Sequence, residues 1–369
     1  MQSAGCGDAA RRRFPPEIPG GGAACYIGPM PSFAAATLLP LALALLGALW
    51  GGGFAWAALL AMTALAATLD LLVRRAPRPD PEREFPGSDA LLVAVVGGGL
   101  LLLALTVRAV AGEAMAGAQK AGLFAACALY LGQVGNAAAH ELVHRAPRAL
   151  RRLGALHYAA VLFGHHASAH PLVHHVLVAT RADPNSARLG EPFWRFAGRA
   201  WRGSLRKGFR AEAERLARAG RPGWRHPYGG YLAATVACGA AAWGLGGWRG
   251  VLAWLGIGVV AAGQLLLSDY VQHYGLARAP RADGRPEPVS DRHSWNSPHP
   301  ASSAMMLNAP RHSDHHAHPA RPYPALRLPL DAPTLPRSLP VMACVALVPA
   351  LWRRAMDPRA RAWAALPPR

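Results

Sequence analysis

Six stretches of predominantly apolar residues, over approximately 33–50, 54–73, 89–107, 121–140, 229–247 and 250–271, alternate with polar joints along this chain. A hydrocarbon core of about 30 Å takes about 20 helical residues to cross, so the pattern predicts six transmembrane helices. An apolar piece from Leu339 to Trp352 is too short to cross and carries Pro340 and Pro349. It reads as interfacial or buried.

The joints divide by arginine. The leader, the 74–88 connection with Arg74, Arg75, Arg78 and Arg83, the long 141–228 segment and the C-terminal region all bear it. The turn at residues 51–53, residues 109–118 and the turn near Arg249 are nearly bare. Basic residues stay on the cytoplasmic side of a bilayer, so both termini and every long polar segment are expected there, in a multi-pass protein of the inner membrane. The expected organisation is a flexible basic leader (1–32), then a six-helix membrane domain (33–274) with a cytoplasmic insertion (141–228), then a cytoplasmic C-terminal region (275–369). The fold class is all-α, with a helical cap on the cytoplasmic side.

Composition agrees: 52% of the 369 residues are hydrophobic and 16% charged, too apolar for an ordinary soluble enzyme of this length. The net charge of +19 comes almost wholly from arginine, Lys120 and Lys207 being the only lysines. The rule that places arginine in the cytoplasm accounts for most of it without a nucleic-acid partner. Five cysteines stand singly, with no CxxC pair. That excludes a zinc ribbon or a fused rubredoxin-type iron site.

The histidines carry the chemistry. All sixteen lie between His140 and His318, most of them clustered. His140 and His144 stand four apart at the end of the fourth stretch, on one helix face. His170 and His174 repeat that spacing, with His175 adjacent and able to reach a neighbouring ion. His312, His315 and His316 form a third group, and His273 sits where the sixth stretch ends. In the expected topology all four groups converge on one side of the membrane. Nine imidazoles exceed the needs of one ion, and imidazole suits iron, copper, nickel or zinc, so a dinuclear site is the economical reading. His157, His165, His166, His226, His293, His299 and His318 fall outside the spacing pattern. His140, Glu141 and His144 also match the zinc-protease HExxH signature, but a protease would leave the other clusters unexplained.

With these segments in view, the chain resembles the membrane-bound alkane hydroxylases, within the histidine-rich diiron superfamily that includes fatty acid desaturases. The resemblance rests on HELVHR from His140, AHPLVHH from Ala169, DYVQHYGL from Asp269 and APRHSDHHA from Ala309. It runs on through 178–191 and 293–299 and covers roughly 35–355. Carried over position by position, it implies metal ligation by His140, His144, His170, His174, His175, His273, His312, His315 and His316. It implies two iron ions, O₂ as co-substrate, and terminal hydroxylation of an alkane drawn from the bilayer. It also implies electrons from a separate rubredoxin and an NAD(P)H-dependent reductase. A lipid desaturase or hydroxylase is the alternative within the same chemistry. Three positions depart from the family pattern: Ala169 and Gln272 stand where glutamate is usual, and Val173 where glycine is. Glu141, Asp183, Gln272 and Asp314 are the expected supporters of the ligands, and Trp56, Met62 and Asp70 on the second stretch the expected channel wall.

Overall fold

The computed structural model describes residues 29–73 and 85–366. The leader up to residue 28 and the arginine-bearing connection 74–84 lie outside the described residues. Among the described residues the fold is helical, with two isolated bridges and no strand.

Four long apolar helices come first: α1 (Pro29–Trp50), α2 (Phe54–Leu72), α3 (Ser88–Ala111) and α4 (Gly117–His144). The polar insertion folds into α5 (Arg148–Ala160), α6 (residues 166–177) and α7 (Phe193–Arg218). Then comes α8 (Pro227–His273), 47 residues long. With α1 to α4 it makes five helices, among the described residues, long and apolar enough to cross a membrane, and the chain is an integral membrane protein. Short helices close the C-terminal region: α9 (Pro300–Met305), α10 (His312–Ala317), α11 (Leu339–Ala346) and α12 (Pro349–Ala364).

The stretches predicted at 229–247 and 250–271 are thus two arms of one element, broken only at Gly246 and Gly247. Gly247 has φ 58° and ψ −147°, a conformation that only glycine adopts readily. The arms fold back on each other, since a Cβ on Gly250 would collide with the Ala242 carbonyl oxygen. Helix α7 measures the result independently. Its Phe196 ring lies 5.3 Å from Tyr270, and its Phe209 ring 5.4 Å from Tyr228. Those two contacts are about 20 Å apart along α7, whereas Tyr228 and Tyr270 would stand about 63 Å apart on one straight helix.

Packing fixes α4 and α5 around the first histidine pair. A Cβ on Gly154 would come 2.8 Å from the Ala139 carbonyl, so only glycine allows α5 to approach α4 this closely. Asn136 on α4 donates to the Ala261 carbonyl at 2.9 Å, and the Trp254 indole donates to the Ala160 carbonyl at 2.8 Å. Both bonds tie the second arm of α8 to this pair. The short apolar piece divides between α11 and α12 and buries Leu339, Met342, Ala346 and Trp352.

The start of α7 is pinned by Glu191, whose carboxylate takes two bonds from Arg199, at 2.9 and 2.7 Å, and one from the Arg188 N–H at 3.1 Å. Burial alone would raise its pKa, but Arg199 and that N–H outweigh it and hold the carboxyl below its ordinary value. A depressed carboxylate stabilises the fold above its unfolded pKa of about 4.3 and loses that contribution as pH falls through the folded value. Glu191→Gln is therefore expected to cost about 1.5–3 kcal/mol at pH 7, with the gap to wild type closing below about pH 4. Melting of the solubilised protein at both pH values checks this.

Candidate metal centre

Nine imidazoles converge in two adjoining groups. His140, His144, His170, His175 and His315 offer ligand atoms all within 4.8 Å of one another, and His174, His273, His312 and His316 do the same. Four segments supply them: the end of α4, α6, the last residue of α8, and α10. The groups abut, the rings of His175 and His316 lying 4.5 Å apart.

The spacing pattern distributes differently from expectation. His140 and His144 do share a group, but His170 and His174, also four apart, are split between the two. The cause is local: residues His170–His174 form a π-turn. Its i→i+5 bonding turns each residue by less than the roughly 100° of an α-helix, which returns His175 rather than His174 to the face of His170. A second π-turn, Leu131–Gly135, precedes the first histidine pair. In α10 the ordinary turn holds, so His312 and His316 share one group while His315 faces the other.

The Nε2 atoms of His140 and His170 are 2.8 Å apart, those of His170 and His175 2.9 Å, and those of His175 and His315 3.2 Å. In the second group both the His273–His312 and His312–His316 separations are 3.1 Å. Two imidazole nitrogens bound at right angles, about 2.1 Å from one ion, would lie about 3 Å apart. The nitrogen pairs are therefore spaced as the edges of a coordination shell would be. The Nε2 atoms of His144 and His174 are buried with no hydrogen-bond partner among the described residues. Burial, and after it the neighbouring imidazoles, push His170, His175, His312, His315 and His316 well below the ordinary histidine pKa. That favours the neutral form, which a metal ligand must have. Together these features make a candidate metal site.

Of the expected supporters, Asp183 meets one of the nine imidazoles: its Oδ2 lies 2.8 Å from His174 Nδ1. Glu141 turns away, accepting the Tyr323 N–H at 3.1 Å and facing Arg145 at 3.4 Å. Asp314 clamps the chain after α10, pairing with His318 and Arg321 and accepting the Arg327 N–H. Gln272 accepts from Ser268 and donates to the Ala309 carbonyl. An ionised glutamate there could not make the second bond, which accounts for the amide. Ala169 lies where α6 meets Gly208 of α7 at close range, and Val173 is buried. His293, outside the spacing pattern, contributes its backbone carbonyl to His273 Nδ1 at 3.3 Å.

A cavity with about 710 Å³ of empty space, part of it open to the exterior, reaches both groups through His140 and His312. Its walls come from α4, Tyr158 of α5, the second arm of α8, residues 306–309, and Leu339, Pro340 and Ala343 of α11. None comes from α2. Trp56 packs on Gly122 of α4 and is nearly half exposed, and Met62 is buried in the core. Asp70 accepts the N–H groups of Ala301 and Ser302 and so holds α9. This cavity is walled in part by α11, whose short apolar run carried no chemical signal in the sequence, and not by the α2 residues expected to line a channel.

Residues 118–344 match the fatty acid desaturase family. The chain is 33% identical to alkane 1-monooxygenase 1 of Pseudomonas aeruginosa over 84% of this chain and 84% of that protein. Alkane 1-monooxygenase 2 of the same organism is 37% identical, over 63% of this chain and 62% of its own length. Alkane 1-monooxygenase 1 of Alcanivorax borkumensis is 38% identical, over 65% of this chain and 61% of its own length. With its apolar helices and its paired histidine groups, this chain belongs to the alkane 1-monooxygenase family, within the fatty acid desaturase superfamily.

Proposed function

We propose that this protein is a diiron monooxygenase that hydroxylates the terminal carbon of medium- or long-chain alkanes. One observation carries the reading: two adjoining all-imidazole groups lie against a cavity whose accessible surface is largely apolar. Two iron ions held there would supply the redox chemistry that splits O₂. One oxygen atom ends in the alcohol and the other in water, with two electrons and two protons taken up. His140, His144, His170, His175 and His315 would hold one ion, and His174, His273, His312 and His316 the other. The protein's own part is to orient the imidazoles, keep His170, His175, His312, His315 and His316 unprotonated and present one end of an extended chain to His140 and His312. The zinc-protease reading loses support because Glu141 is engaged by Arg145 and Tyr323 instead of facing the imidazoles.

Contacts favour six crossings with the centre on one side. The arginine-poor joints cluster, Gly51 lying against Gln119 and Arg249 pairing with Glu113 at 3.1 Å. At the other end Asp70 reaches α9, and Asp89 pairs with Arg145. We place that second end in the cytoplasm, beneath the inner membrane, where a separate rubredoxin and its NAD(P)H-dependent reductase would deliver electrons.

Membranes holding the protein, supplied with rubredoxin, its reductase, NADH and an n-alkane, should yield a terminal alcohol labelled from ¹⁸O₂. A product without label, or a desaturated one, would overturn the proposal. The cavity makes a further prediction. Ala343→Phe adds a ring to one wall, so activity on the longest accepted alkanes should fall about tenfold or more relative to shorter ones, as read by competition between chain lengths.

A further inference from the structure

Helix α7 carries two exposed strips beside its buried seam. The seam runs through Phe193, Ala200, Ser204, Gly208, Glu212 and Leu216. One position further along lie the exposed Trp194, Trp201 and Phe209, with the half-buried Leu205 between them. Trp194 is 63% exposed and Phe209 50%. One position beyond that lie Arg195, Arg202, Arg206 and Arg210, all exposed. Each strip advances in steps of about four residues with the seam, so the two stay side by side along the helix. No carboxylate pairs with these four arginines among the described residues, and the two acids of α7, Glu212 and Glu214, are taken by Arg215 and Arg218.

The placement of α7 gives the strips a meaning. Phe196 touches Tyr270 near the last turn of α8, and Phe209 touches Tyr228 at its first. The helix therefore lies across the ends of two membrane-spanning arms, in the plane where hydrocarbon gives way to water. The apolar strip continues at both ends. Trp194 bonds the Leu347 carbonyl, beside the exposed Val348 and Leu351. Past the other end, Trp224 is 79% exposed three residues before α8 begins, with the Arg225 guanidinium 5.0 Å over its ring.

We infer that α7 is an interfacial helix, its aromatic strip entering the boundary between acyl chains and headgroups and its arginine strip holding the phosphates of anionic phospholipids. Exposed tryptophan beside arginine at that depth is stabilised by a bilayer, which takes the ring and the guanidinium together. An acidic protein would use the arginines and leave the tryptophans without a role. Headgroup binding there would also brace α7 against α6, whose Ala169 packs on Gly208 just before the ligand His170.

The test uses the iron-loaded protein in membranes of equal phosphatidylglycerol and phosphatidylcholine, and counts the lipids retained after detergent extraction. Wild type should retain phosphatidylglycerol preferentially. Substituting Arg195→Gln, Arg202→Gln, Arg206→Gln and Arg210→Gln together should lower that preference about tenfold, with iron content unchanged. A variant that keeps the full preference overturns the inference, as does one that keeps it while losing binding to an acidic electron carrier. Should the fourfold variant misfold, Trp201→Phe decides alone: the fluorescence lost in it must be quenchable by lipid brominated near the headgroup, and an unquenched difference overturns the placement.

Discussion

Replacing His170 with alanine is expected to lower hydroxylation more than 100-fold and to cut bound iron from about two ions per chain to about one. Its Nε2 stands within 2.9 Å of both His140 Nε2 and His175 Nε2. Among the described contacts no other imidazole in the first group has two neighbours that close, so an ion held there would share His170 with both. Loss of an outer partner of a metal ligand already costs about 10–100-fold, and removing the ligand itself should cost more. The second group keeps its four imidazoles and should keep its ion. His316→Ala should produce the mirror result, and the double variant should lose both ions with little further loss of activity, because the two act as a unit. Metal analysis of each variant beside its oxidation rate checks this. Two irons per chain in the His170→Ala protein would remove the assignment.

Much of this site is legible in the sequence because its signals are local. Runs of apolar residues mark the helices whatever their packing, and histidines four apart on a helix share a face unless the backbone changes pitch. The change of pitch is what escaped. The π-turn at His170–His174 has no signature in a single sequence, and it moves His174 to the second group. The turn near Arg249 was legible between two apolar runs, and its exact break at Gly246 and Gly247 was not; Gly250 against the Ala242 carbonyl and α7 bridging Tyr228 and Tyr270 agree with the fold-back. Glu141 and Asp314 lay next to ligands in sequence and drew expectation for that reason, yet a helix turns neighbouring residues by about 100° and points them elsewhere. Asp70 is a carboxylate in an apolar run, and its charge serves the two N–H groups of α9. The cavity wall on α11 was unreadable, since Leu339, Pro340 and Ala343 differ in no chemical way from core residues.

Asp183 shows what a supporter must do, and it yields the second large effect. Its Oδ2 meets His174 Nδ1 at 2.8 Å and Ser186 Oγ at 2.7 Å, while Oδ1 accepts the Asn185 N–H at 3.0 Å. The carboxylate is fully buried, and Asn185 continues the network to Asp269 on α8 at 2.6 Å. A proton held on Nδ1 by this carboxylate leaves the Nε2 lone pair of His174 facing the second group, which sets both tautomer and ring angle. Asp183→Ala should therefore weaken the second ion by about 10–100-fold, about 1.4–2.7 kcal/mol, and lower activity in step at limiting iron. Asp183→Asn keeps an acceptor oxygen without the charge, so its loss should be smaller. Iron titration of the metal-free variants separates this from a purely structural role: a structural defect would lower the melting temperature and leave the affinity of the folded fraction alone. Unchanged affinity in Asp183→Ala would mean that His174 is oriented by its packing on the π-turn and not by the carboxylate.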